Sequence, residues 1–259
     1  MQDFSLIIDG MTWSYSRLTA YTTCPYSWFL KYILGEDTSS NFYAEYGTFM
    51  HELLSKFYKN EASKDSILLE FLTGFSHNVP SIVDSQYFES TKEKYFDLGA
   101  EYLETFKPFD FKKLITVEGE HNFKIDKYKF TGFIDLAGYD ENNDLVIIDH
   151  KSKDLKPRSN RKKPTLTDIE LDEYLQQLYL YCIPIFNLTG EYPKWLKYNC
   201  FKADKVIVEP FVMANFEKAK RWARHIIEFI QEERKWEPTG NYIYCKDICN
   251  NRNICEYVD

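Results

Sequence analysis

Residues 128–151 read Tyr-Lys-Phe-Thr-Gly-Phe-Ile-Asp-Leu-Ala-Gly-Tyr-Asp-Glu-Asn-Asn-Asp-Leu-Val-Ile-Ile-Asp-His-Lys, and their reading decides the fold. Through 128–138 the pattern has a period of two, the repeat of a pleated strand. Asp140-Glu-Asn-Asn143 is a turn signal. The run 145–151 that follows begins Leu-Val-Ile-Ile, the composition of a strand covered on both faces. Upstream, 114–125 alternates as well, and Asp126-Lys127 has the length of a tight hairpin turn. Three strands in antiparallel sequence, the last one buried, make a meander.

Working outward, the flanks are helical. Ser14 or Ser16 can cap a segment through Leu18, Tyr21, Trp28, Phe29 and Tyr32, interrupted at Cys24-Pro25. Phe42, Tyr46, Phe49, Met50, Leu53 and Phe57 recur at spacings of three and four, which makes one apolar helical face. Further helices are expected around 64–76 and 85–107, broken at Asn78-Val-Pro80. Downstream, Thr167-Asp-Ile-Glu170 has the form of a capping box opening a helix to about Ile183, where Pro184 ends or kinks it. Trp195–Phe201 and Val206–Val208 can return as strands, and Asn215 is placed to cap a long amphipathic helix with Phe216, Ala219, Trp222, Ile226 and Ile230. Helices around a small central sheet give an α/β or α+β domain. The expectation is a single domain, 1–259: a helical portion at 1–110, a core at 111–236 and a cysteine tail at 237–259.

Composition bounds the function. The chain has 259 residues, 44% hydrophobic and 28% charged, with 20 Tyr, 20 Phe and 5 Trp, so a disordered chain is excluded. Net charge is −8, so nucleic acid would have to meet a local patch. Such a patch exists at 151–163, where Lys151, Lys153, Lys156, Arg158, Arg161, Lys162 and Lys163 face a single acid, Asp154. No run is long and apolar enough to span a membrane, and the first residues lack the pattern of a secretory signal. A cytoplasmic protein with no membrane partner is therefore expected. Cys245, Cys249 and Cys255 crowd the C-terminal end, whereas Cys24 stands alone near the other. In a reducing compartment such thiols read as metal or cluster ligands. Cys182 and Cys200, in apolar segments, read as small buried hydrophobes.

Asp149 and Lys151 lie two apart on one strand and emerge on one face, with Asp135 late in the preceding strand. Two carboxylates brought together repel unless one protonates or a cation lies between them. A hard divalent ion, Mg²⁺ or Mn²⁺, suits that pair, and a neighbouring lysine can orient a water or offset charge on a phosphate. Solvated charges near a turn are the plain alternative for the same spacing.

The motif order resembles the RecB-like branch of the PD-(D/E)xK nuclease superfamily. The similarity rests on Gly132-Phe-Ile-Asp135, Ile147-Ile-Asp149-His-Lys151, Gln177-x-x-x-Tyr181 and Gly47-Thr-Phe-Met-His51. It also rests on Ser16-x-Leu18-x-x-Tyr21-x-x-Cys24-Pro25 with the distant cysteine trio. AddB nuclease domains and CRISPR-associated Cas-four adaptation nucleases carry such an arrangement. The resemblance implies a restriction-endonuclease-like core and a metal-dependent deoxyribonuclease, an exonuclease on single-stranded or frayed DNA. It implies His51, Asp135, Asp149 and the His150 backbone carbonyl as metal ligands, and Lys151 as the catalytic lysine assisting attack of water. Gln177 and Tyr181 would contact the DNA backbone, and the basic residues from Lys153 to Lys163 would grip phosphates. Glu118 and Glu120 share the strand pattern, and related nucleases sometimes place a further acid there; solvated carboxylates are the simpler reading. Cys24, Cys245, Cys249 and Cys255 would hold a [4Fe–4S] cluster tying the tail to the N-terminal helices, with a Cys₄ zinc site as the rival. Three residues separate Cys245 from Cys249 where two are usual. Partners would be DNA and, by the same resemblance, a recombination helicase or CRISPR adaptation proteins. The competing class is a non-cutting nuclease-fold subunit of such a complex.

Overall fold

The computed structural model describes residues 4–36, 40–81, 88–240 and 244–257. Eight α-helices and five strands are present among them: α1 Ser5–Asp9, α2 Tyr15–Thr23, α3 Pro25–Tyr32, α4 Phe42–Tyr58, α5 Lys64–Asn78 and α6 Phe88–Thr105, then the strands β1 Phe111–Ile125, β2 Tyr128–Asp140 and β3 Leu145–His150. The chain continues with α7 Leu166–Thr189, β4 Trp195–Cys200, β5 Lys205–Pro210 and α8 Met213–Glu232. The strands form one sheet in the order β1-β2-β3-β4-β5. β2 and β3 are antiparallel, β3 and β4 parallel, β4 and β5 antiparallel. This is a mixed five-stranded sheet flanked by helices, with a helical N-terminal part, the fold class expected from sequence. No described helix is long and apolar enough to cross a membrane.

Two compact units divide the chain: Phe42–His121 with Phe133–Phe216, and Met1–Asn41 with Asn122–Gly132 and Glu217–Asp259. In the first of these, Phe42, Tyr46, Phe49, Met50 and Leu53 of α4 are buried, with Phe57 partly buried against them, and join Ile67, Phe71 and Phe75 of α5 with Tyr102 and Leu103 of α6. Their ground is the sheet face bearing Leu136, Val146 and Ile148. β3 is buried at every position, which explains its unbroken apolar sequence. A strand buried on both faces needs a helix on each, and α7 is the crossover that makes β3 and β4 parallel. In the other unit Ser14 caps α2, accepting from the Arg17 amide at 3.1 Å. The same unit carries Trp236, stacked on Trp28 with ring centroids 5.3 Å apart.

Three boundaries differ from the sequence expectation. α7 opens at Leu166, because the capping box is Thr165–Asp168 and not 167–170. It then runs through Pro184 to Gly190, whose φ of 77° ends it. Tyr181, Cys182, Pro184 and Ile185 are all buried there, so packing on both sides of the proline outweighs one lost backbone hydrogen bond. Asn215 lies within the first turn of α8 and does not cap it; the Asn215 and Phe216 amides donate to the Val212 carbonyl. The expected start of α6 near 85 lies outside the described residues.

Candidate active site

The site is built by four elements of one unit, β2, β3, α4 and β1. Asp135 stands on β2 just beyond the last ladder pair with β3, Leu136 opposite Ile148. Freed from the ladder, the His150 amide donates to Asp135 Oδ2 at 2.6 Å. His51, one turn beyond Gly47 on α4, places Nε2 3.0 Å from the His150 carbonyl oxygen and Nδ1 3.4 Å from Asp135 Oδ2. The last element is β1, where Glu118 has a φ of 46°, a left-handed residue inside a strand. That is the geometry of a bulge, which re-aims a side chain. It carries Glu118 Oε1 to 3.1 Å from His51 Nδ1. A side chain at Gly119 would collide with Thr116 and His121, so the bulge depends on glycine there.

His51, Glu118 and Asp135 therefore offer ligand atoms that all lie within 4.8 Å of one another, with the His150 carbonyl against the same ring. Two carboxylates, a carbonyl and an imidazole are a donor set for a hard divalent cation, so the residues present fit such an ion. The electrostatics agree. Burial opposes charging His51, but Asp135 and Glu118 outweigh it and raise the ring to about 9. Burial, then Asp149, pushes Asp135 well above the usual carboxylate range.

Asp149, expected among the ligands, is 2% exposed and has Oδ2 2.7 Å from Lys151 Nζ. The structure turns it to the lysine and brings Glu118 to His51 and Asp135. Lys151 also donates to Gln177 Oε1 at 2.9 Å, and Gln177 Nε2 donates to the Tyr181 hydroxyl at 2.9 Å. Burial works against the Lys151 charge, yet Asp149 and Asp135 hold its pKa above the ordinary value. Gln177 and Tyr181 share the helical face expected of them, but both of Gln177's polar ends are used inside the protein. The His150 side chain emerges on the strand face opposite to Asp149 and Lys151, as alternation requires, with its ring centroid 5.6 Å from that of His51. Its Nδ1 lies 2.8 Å from Asn199 Nδ2, and burial keeps the ring neutral.

The basic segment is pinned. Lys153 pairs with Glu170, Lys156 with Asp154, and Arg158 with both Asp172 and Glu209. Asp168 Oδ1 accepts from the Ser159 amide, and Oδ2 accepts from the Ser159 hydroxyl and from the amide and hydroxyl of Thr165, which hold this carboxyl far below its usual range. Arg161, Lys162 and Lys163 are exposed, and among the described residues no carboxylate pairs with them. Glu118 is the residue that sequence reasoning left among solvated carboxylates. Its signal was Gly119, an isolated glycine in a strand pattern.

In the other unit Cys24 and Cys249 are buried, and Cys245 and Cys255 are half-buried. Burial raises Cys245, and the charges of Cys249 and Cys24 act in the same direction. The same two cysteines act on Cys255. Cys24 Sγ caps α3, accepting from the Ser27 amide at 3.5 Å. Asn251 donates to the Ser27 carbonyl at 3.0 Å, which fastens the C-terminal residues to the same turn.

Among solved structures, the chain is similar to a protein of Eubacterium rectale described as a "Putative exonuclease": 11% identity, 88% of this chain and 84% of that chain covered, TM-score 0.48. It is also similar to SSO0001, at 18% identity, 95% and 85% coverage and a TM-score of 0.34. No curated protein matches it. The family model of the PD-(D/E)XK nuclease superfamily matches residues 12–256. The chain belongs to the PD-(D/E)XK nuclease superfamily.

Proposed function

We propose that this protein is a Mg²⁺- or Mn²⁺-dependent deoxyribonuclease that hydrolyses phosphodiester bonds at single-stranded or frayed DNA ends, acting as one nuclease domain. The observation that carries this is the donor set of His51, Glu118, Asp135 and the His150 carbonyl, with Lys151 beside it. These residues would hold the ion, and Asp149 would add negative charge next to them. A divalent ion bound there supplies positive charge to a phosphate oxygen and acidifies water. Lys151 enters the reaction protonated, because Asp149 lies 2.7 Å from its ammonium. Its Nζ can donate to the phosphate or the attacking water and offset the charge that builds up on the phosphoryl oxygens. Gln177 fixes the direction of that ammonium, and Tyr181 fixes Gln177. Both are therefore positioning residues for Lys151. Arg161, Lys162 and Lys163 are the cations left to meet the DNA backbone.

The RecB-like branch, exonucleolytic action and service beside a recombination helicase or CRISPR adaptation proteins come from the sequence resemblance. A [4Fe–4S] cluster on Cys24, Cys245, Cys249 and Cys255 belongs to the same proposal, which rests on the sequence resemblance and on the four thiols lying buried or half-buried in one unit. The deciding experiment is cleavage of a fluorescent single-stranded oligonucleotide with Mg²⁺ or Mn²⁺. Lys151→Ala is expected to lower the rate by about 10²-fold or more. It leaves Asp149 without its cation, so a stability loss of about 3 kcal/mol accompanies it and the assay belongs well below the variant's melting point. Wild-type rates in Lys151→Ala would overturn this reading. Binding without any cleavage by the parent would favour the non-cutting subunit.

A further inference from the structure

Phe133 shares the β2 face of Asp135. By strand alternation Phe133, Asp135 and Ala137 emerge on the same side. Asp135 and Ala137 are 6% and 0% exposed, whereas Phe133 is 55% exposed. Tyr128 and Phe130, buried at 8% and 1%, emerge on the opposite face of β2, so Phe133 is the aromatic ring that this strand leaves exposed on the face of Asp135. Phe133 is two residues, or about 7 Å, from the carboxylate. That is the reach of one nucleotide from its phosphate to its base. Exposed Lys129 and half-buried Thr131 precede Phe133 on the same face, so the residues leading up to the ring along β2 are polar.

We propose that Phe133 is a stacking platform for an unpaired nucleobase beside the phosphate attended by Asp135 and Lys151, which makes single-stranded DNA the substrate class of this site. The proposal rests on the nuclease reading above. An aromatic ring stacks with any base, so it adds grip without sequence preference. A base inside a duplex already has both faces covered by its neighbours, while an unpaired one offers a face. The ring thus selects for strandedness, and the cations at Arg161, Lys162 and Lys163 would serve either form.

The test compares Phe133→Ala and Phe133→Trp, both in the Lys151→Ala protein so that the DNA stays intact. Fluorescence anisotropy would follow binding of a dye-labelled single strand and of a blunt hairpin duplex. Phe133→Ala should weaken single-strand binding about tenfold, change duplex binding less than twofold, and be restored by Phe133→Trp. A single abasic site stepped along the strand should, at one position, abolish the difference between Phe133 and Phe133→Ala. Equal weakening toward both forms, no weakening, failure of tryptophan to restore, or no abasic position that removes the difference would each overturn the proposal. Failure of the nuclease reading looks different: the wild-type protein would cut no strand with Mg²⁺ or Mn²⁺, whatever Phe133 does to binding.

Discussion

Glu118 reaches His51 only because its own backbone bends into the left-handed region, and a non-glycine residue pays conformational energy to sit there. A carboxylate placed at such cost is expected to matter to the ion. Glu118→Gln should weaken Mn²⁺ binding by about tenfold or more, since even outer partners of a metal site have effects of that size. Calorimetric titration with Mn²⁺ measures it, and an unchanged affinity would remove Glu118 from the ligand set. The proton inventory gives a second expectation. Without an ion, His51 is raised to about 9 by its acidic neighbours, and Asp135 is raised as well. A cation needs His51 neutral and Asp135 ionised, so binding must expel protons. Mn²⁺ affinity should therefore climb between pH 6 and pH 9. At pH 7 the apparent binding enthalpy should shift with the ionisation enthalpy of the buffer. A flat pH profile would mean that His51 is not a ligand.

At the scale of elements, the segment after β3 shows how a charge run divides. Its sequence reads as one basic stretch, but ion pairs occupy Lys153, Lys156 and Arg158, and Asp168 ties Ser159 to Thr165. Cations already neutralised release few counterions when DNA arrives. Replacing Arg161, Lys162 and Lys163 by Ser should lower the slope of log affinity against log salt for single strands by up to about 2, at about 0.7 per contact. Replacing Lys156 and Arg158 should change it less. Equal slopes for the two variants, read from anisotropy between low and moderate salt, would make the division irrelevant to binding. α7 illustrates the same competition between local and tertiary terms. Its proline was visible as a break, yet the helix continues because the residues around it are buried. α4 needed no such correction, since its apolar spacing and its buried face coincide.

For the whole molecule, the proposed cysteine ligands come from positions more than two hundred residues apart in sequence. If Cys24, Cys245, Cys249 and Cys255 ligate a [4Fe–4S] cluster, anaerobically purified protein should be brown, with about four irons per chain. Cys24→Ser should bleach it and lower the melting temperature, while Cys182→Ser should keep the colour, because Cys182 is buried on α7 with its thiol against the Leu178 carbonyl. About one zinc and no iron would replace the cluster with a Cys₄ site and leave the hydrolytic residues untouched. What the sequence by itself determined was set by periodicity and local turn chemistry: the β1–β3 meander, the Asp126-Lys127 turn, the α4 face and the placing of Asp135, Asp149 and Lys151 around one strand pair. Those features depend on neighbours a few residues away, which a linear pattern records. Tertiary structure alone decided that Glu118 joins His51 while Asp149 turns to Lys151, that Gln177 serves the lysine, and which basic residues stay uncompensated. Each of these depends on which of several nearby charges a side chain meets, and that choice is made by a bulge, a helix rotation or an acid on another element.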